Sequence, residues 1–130
     1  IVRLRLSCYY AGMHDASAIT VLMDGLATLV QPYLFSRGDS TPEQAIGEML
    51  RIRNQTLSVA ESCTGGYVSH LITTVPGSSI WYLGSSVSYD NEVKSTFLGV
   101  DANIISTKGA VSEEVARAMA EERAAQEQDA

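Results

Sequence analysis

Val2, Leu4 and Leu6 alternate with Arg3, Arg5 and Ser7. That period of two predicts a half-buried strand. YYAGMHD (9–15) reads as a turn. Ile19, Leu22, Met23, Leu26, Leu29 and Val30 then recur at helical spacing, which predicts an amphipathic helix over 15–31. Pro32 follows its end, and Tyr33-Leu34-Phe35 is placed as a short second strand.

SRGDSTP is the best domain boundary. Thr41, Pro42 and Gln44 carry a helix-start signature. Threonine can cap, proline needs no amide partner at the first helical position, and glutamine completes a capping box. Ile46, Met49 and Leu50 would give this helix its buried stripe. TLSVA (56–60) reads as an apolar strand. Val68, Leu71, Ile72 and Val75 place a helix over about 64–74, ended by Pro76-Gly77. IWYLGSSVSY (80–89) is a second strand, with Val87 and Tyr89 on one face. NEVKSTFLG is a short helix with Val93 and Phe97 inward and Gly99 at its C-terminal cap. In GAVSEEVARAMAEE, Ser112 is the N-cap, two glutamates sit near the positive end of the dipole, and Val115 and Met119 face inward. The last eight residues are polar and are expected to fray. From Thr41 onward the order is therefore α-β-α-β-α-α, the alternation of an α/β layered domain.

Length changes the picture little: 130 residues make one ordinary domain or two small pieces. Charge changes it more. The net charge is −6, with no cluster of Lys or Arg, so binding along a nucleic-acid backbone is not expected. No apolar stretch approaches about 20 residues, so no membrane span is expected, and there is no signal-peptide pattern. Cys8 and Cys63 form no C-x-x-C pair, and His14 and His70 have no nearby ligand partner, so no metal site is expected. Free thiols suit a cytoplasmic protein. The chain starts inside a strand pattern without Met and ends inside a helical run, so it reads as a segment of something longer.

Two clusters can carry chemistry. In AESCTGG (60–66) a strand feeds a helix through a glycine pair, and the unpaired amides of a helix start favour an anion. Ser62 stands at the rim, where its hydroxyl can attack a carbonyl if a base is near; Ser62 or Thr64 can equally be a plain N-cap. Cys63 is the rival nucleophile, since a thiol at a helix N-terminus is activated, and a buried filler is the other reading of it. The second cluster, SYDNEVK (88–94), puts Tyr89, Asn91 and Lys94 at a strand-to-helix junction, where α/β sheets place ligands. A lysine without its proton can serve as base for a serine. The alternative is a solvated lysine and a packed tyrosine. Neither histidine has the context for a conventional triad.

AESCTGG, VPGSS, VSYDNEVK, LGV and KGAVSEEVARAMAE stand in the order and spacing of the C-terminal domain of the competence/damage-inducible CinA family, which the chain resembles over about 41–123. Upstream, VRLRLS, a helix and YLFSRGDSTPEQAIGEML resemble the small KH-like segment that precedes that domain. The resemblance implies a KH-like connecting segment of α+β type over 1–39 and the N-terminal part of the amidohydrolase domain over 40–130. The fold it implies is an incomplete three-layer α/β/α sandwich. It implies an amidase that hydrolyses the carboxamide of nicotinamide mononucleotide without a metal or cofactor. Ser62 would be the nucleophile, assisted by Tyr89 and Lys94, with Thr64, Gly65, Gly66 and Asn91 lining the substrate site. Family domains continue into a further strand, a TGIAGP-like loop and a KPVGTV-like strand that this chain lacks. Impaired activity is therefore expected for the isolated chain, with an inactive nucleotide- or phosphate-binding remnant as the alternative. The apolar faces such strands would cover make a homo-oligomer the expectation. The pyrophosphatase domain of full-length members is also absent, and 1–40 has no G-x-x-G loop for clamping RNA.

Overall fold

The computed structural model describes residues 4–7 and 15–128. The chain divides into two compact units, 1–40 and 41–130.

In the first unit, α1 spans Asp15–Leu29, followed by a 3₁₀ turn at Gln31–Tyr33. Ile19, Met23, Leu26 and Val30 are half-buried and Ala27 is buried, while Leu22 and Leu29 are exposed. The buried stripe is thus rotated from the expected one towards Ala27. Neither expected strand forms among the described residues. Residues 4–7 have no regular structure, and Leu4 and Leu6 are exposed, because alternation makes a strand only where a partner offers a ladder. Tyr33 closes the 3₁₀ turn by donating its amide to Val30 O at 2.8 Å, with φ at Pro32 already set for it. The expected α+β segment therefore shows a helix and a helical turn. Most of the expected 9–15 turn lies outside the described residues.

In the second unit, α2 spans Pro42–Arg53 and has the expected capping box. Thr41 Oγ1 accepts from Gln44 N–H at 3.4 Å, and Thr41 N–H donates to Gln44 Oε1 at 3.0 Å. Its inner face differs from the expected one: Ile46 and Met49 are exposed, and the buried position is Gly47. A Cβ there would lie 2.6 Å from the ring of Trp81. Glycine lets the helix axis approach the indole, and the stripe turns to follow it.

β1 (Leu57–Glu61) and β2 (Tyr82–Val87) pair in parallel, with Ala60 opposite Ser86 and Glu61 opposite Val87. Between them run α3 (Tyr67–Thr73) and a 3₁₀ turn at Ser78–Ile80. Ile80 and Tyr89 thus fall outside the strand expected over 80–89. After β2 come α4 (Asn91–Thr96), α5 (Ala102–Lys108) and α6 (Glu113–Gln128). The sequence reading missed α5. Its signals are Asp101, whose carboxylate accepts from Asn103 N–H at 2.8 Å, and buried Ile105. Ser112 caps α6, accepting from Val115 N–H at 3.2 Å. That helix runs on to Gln128 where fraying was expected.

The core is Leu98, Val100, Ile105, Val115 and Met119, with Ala60 of β1 packed against it. The next strand residue, Glu61, points to the other face and meets α3. Helices therefore flank both faces of this small sheet, as α/β layering requires.

Candidate functional site at the ends of the parallel strands

Both strands end at one edge. Glu61 and Val87 are register partners, and Ser88 N–H donates to Glu61 O at 2.8 Å. The turn 62–66 and the segment 88–94 thus leave the sheet side by side, at the carboxyl edge where open α/β sheets place ligands. Ser62 is half-buried; Cys63, Thr64 and Gly65 are exposed. Gly65 and Gly66 have φ of 60° and 97°, left-handed values that favour glycine. A Cβ on Gly66 would lie 3.6 Å from Val87 Cγ2, so the turn packs on the end of β2.

The mouth of α3 is built differently from the expected one. The helix starts at Tyr67, and its N-cap is Gly66, with no side-chain cap of its own. Glu61 supplies the acceptors instead. Its Oε2 accepts from Thr64 Oγ1 at 2.7 Å, Gly66 N–H at 3.1 Å and Val68 N–H at 3.0 Å. Its Oε1 accepts from Ser69 N–H at 2.9 Å and from the Ser69 hydroxyl. Neither Ser62 nor Thr64 is the cap. The amides expected to hold a ligand's anion already hold the chain's own carboxylate. Glu61 is 2% exposed. Burial pushes its pKa up, but hydrogen bonds from Ser69, Thr64 and Val68 outweigh this and hold it at about 2, against an ordinary 4.5. Meanwhile the amides of Cys63 and Thr64 make no hydrogen bond among the described residues.

On the other side, Asp90 caps α4 by accepting from Glu92 N–H at 2.8 Å. The inward residues here are Lys94 of α4 and Leu98 just beyond it, at 2% and 1% exposure, one residue on from the expected Val93 and Phe97, which are exposed. Lys94 Nζ donates to Asn91 Oδ1 at 3.1 Å and to Tyr89 O at 3.5 Å. Lys94 is therefore an inward group held by its own segment. The Tyr89 side chain is exposed, and Asn91 is tied to the lysine through its amide oxygen. Gly99, at φ 87°, turns the chain so that Val100 N–H reaches Lys94 O at 3.1 Å.

Glu61 and Ser88 were missed as site residues. Ser88 is fully buried and its hydroxyl has no hydrogen-bond partner among the described residues. The signal for Glu61 was an acid closing an apolar strand just before a glycine pair. Among the described residues, no group of His, Cys, Asp and Glu is arranged to hold a metal. Cys63 is a free, exposed thiol, which corrects the buried-filler reading, and His70 is exposed, its ring near that of Tyr67. Cys8 and His14 lie outside the described residues. No helix of the described residues is long and apolar enough to cross a membrane. A cleft of about 580 Å³ opens at the opposite, amino edge of the strands, lined by Arg51, Asn54, Thr56, Ile80 and Trp81 among others. Glu61, Ser62, Ser88, Tyr89, Asn91 and Lys94 are not among its lining residues.

The family model of the CinA C-terminal domain matches residues 39–129. The chain belongs to the CinA family. A CinA-like protein of Cytophaga hutchinsonii is 40% identical over 122 residues, 93% of this chain and 29% of that protein. One of Amoebophilus asiaticus is 50% identical over 92 residues, 71% of this chain and 22% of that protein. The chain thus spans under a third of the length of these CinA relatives. Among solved structures, the competence/damage inducible protein CihA from Agrobacterium tumefaciens matches with a TM-score of 0.62 and 33% identity, over 65% of this chain and 51% of that one. A CinA superfamily protein from Escherichia coli shares the fold, with a TM-score of 0.65 at 24% identity, over 76% and 60% of the two chains.

Proposed function

We propose that the carboxyl edge of the β1–β2 pair is the catalytic edge of a nicotinamide-nucleotide amidase, with Ser62 as nucleophile and Lys94 as the group that moves its proton. The observation that carries this reading is the Ser88–Glu61 hydrogen bond. It joins the residue just before Ser62 to the start of the segment that holds Lys94 inward. In the reaction, Ser62 Oγ attacks the carboxamide carbon of nicotinamide mononucleotide and its proton passes to Lys94 in its neutral form. The free amides of Cys63 and Thr64 are suited to the developing oxyanion. Collapse breaks the C–N bond, and ammonia leaves with the proton that Lys94 returns. Water then attacks the acyl-serine, releasing nicotinic acid mononucleotide and free Ser62. Tyr89 assists from the rim, and Thr64, Gly65, Gly66 and Asn91 line the approach.

The test is ammonia release from the mononucleotide. Ser62→Ala abolishes turnover on this reading, and Cys63→Ala leaves it within a few-fold. Equal turnover by Ser62→Ala sinks the assignment; loss in Cys63→Ala moves the nucleophile to the thiol.

A second reading is a nucleotide-binding or structural module without turnover. It is favoured by a cleft lying away from Ser62 and Lys94. Calorimetry that finds tight mononucleotide binding with no ammonia release supports it.

A further inference from the structure

We propose that Glu61 is a positioning residue for Ser62: its carboxylate fixes the turn 62–66 and decides which amides remain open to substrate. This deepens the amidase reading and, in its catalytic part, rests on it. Glu61 has no role in the reaction written above, yet it is the most heavily bonded side chain at this edge.

The carboxylate accepts five hydrogen bonds, and they divide into two sets. Those from Val68 N–H, Ser69 N–H and the Ser69 hydroxyl hold the first turn of α3. Those from Thr64 Oγ1 and Gly66 N–H hold the far end of the turn that carries Ser62. Glu61 itself is fixed by the strand, since its carbonyl accepts from Ser88 N–H. One side chain thus ties three pieces of backbone: the strand end, the turn and the helix. The turn between them is clamped at both ends, and Gly65 N–H closes it on Ser62 O at 3.0 Å.

The selection of amides follows. Gly66, Val68 and Ser69 N–H are consumed by the carboxylate, while Cys63 and Thr64 N–H are left over. Without Glu61, the amides of a helix mouth would offer a more attractive anion site and would draw a substrate's charged groups past Ser62. With it, that site is filled and the open donors are those adjoining the serine. A nucleophile held to its reacting geometry gains rate in the chemical step more than in binding.

The experiment compares Glu61→Gln with Ser69→Ala. Glutamine keeps one acceptor oxygen but turns an NH₂ donor towards backbone donors. Ser69→Ala removes one donor from the helix set and leaves the turn set alone. In mononucleotide deamidation, Glu61→Gln lowers kcat at least about 30-fold with KM within about threefold, the split expected when geometry is lost. Ser69→Ala keeps kcat within about threefold. Glu61→Gln with near-normal kcat, or Ser69→Ala falling as far, overturns the proposal. The second arm is amide hydrogen exchange, read on the same variants without turnover. The reporters are Gly65 and Tyr67 N–H, which bond to Ser62 O and Thr64 O rather than to Glu61. Faster exchange at both in Glu61→Gln, but not in Ser69→Ala, supports the clamp. If only Val68 and Ser69 accelerate, Glu61 is a helix cap and nothing more. A wild-type chain with no turnover sinks the amidase reading, and exchange alone then decides this one.

Discussion

Lys94 and Glu61 are each 2% exposed and both are charged in their ordinary forms, yet they are held in opposite ways. Lys94 has two acceptors, one of them distant at 3.5 Å. Its alkyl stem is buried on the inner side of α4, and methionine has nearly that shape. Lys94→Met should therefore change unfolding free energy by no more than about 1 kcal/mol, while lowering deamidation at least about 100-fold if the amine moves the proton. Urea midpoints and an ammonia assay read the two effects separately. Glu61 is fully satisfied, and its value of about 2 against 4.5 links it to folding. Because the folded value is the lower one, its contribution is complete above about pH 4.5 and drains away as pH falls towards 2. The loss is about 3 kcal/mol on the usual conversion. Wild type and Glu61→Gln should differ in stability at pH 6, and that difference should shrink by roughly this amount at pH 2. A difference independent of pH would show that folding leaves the carboxyl's pKa unshifted.

At the scale of elements, the contact between α2 and Trp81 makes the sharpest prediction. A Cβ at Gly47 meets indole atoms at 2.6 and 2.9 Å, and the indole is itself buried at 2% exposure. Gly47→Ala normally favours a helix by up to about 1 kcal/mol. Here overpacking should reverse the sign and cost about 1–3 kcal/mol, checked by thermal or urea unfolding. The same elements show what is legible in a sequence. The capping box of α2 was readable because Thr41, Pro42 and Gln44 carry it within four positions, and the Ser112 cap was readable for the same reason. The irregular backbone at 4–7 was not, since alternation says nothing about whether a partner exists. The inward side of α4 was misjudged by one residue because hydrophobic spacing gives no weight to an amine whose acceptors lie at 89 and 91. The Glu61 clamp was hidden in plain view: Ser62 and Thr64 are the residue types that cap helices, and they drew the assignment away from the acid before them. The placement of the serine and lysine segments at one edge was legible from strand order and the motif pair together. The hydrogen bond that joins those segments was not, because register depends on packing.

For the whole molecule, the parallel pair is the feature that reaches outward. Parallel sheets are usually covered on both faces, and a two-stranded one leaves both edges open. Leu83 and Val87 lie on the α3 side of β2, which α3 covers only in part, leaving them 51% and 45% exposed. We expect the isolated chain to self-associate through this side. Sedimentation should find species heavier than 14.0 kDa that shift to lighter ones in a Leu83→Lys, Val87→Lys variant. A monomer at every concentration would count against it.

Trp81, the single tryptophan, also labels the molecule. Its indole is sealed under Gly47 of α2, in the unit that spans 41–130. Its fluorescence therefore reports when that unit opens. Far-UV dichroism sees the helices of both units. Melting followed by the two signals together asks of one sample whether 1–40 unfolds with the family domain or apart from it. Coincident curves mean one cooperative molecule, and an early dichroic phase at constant emission means two.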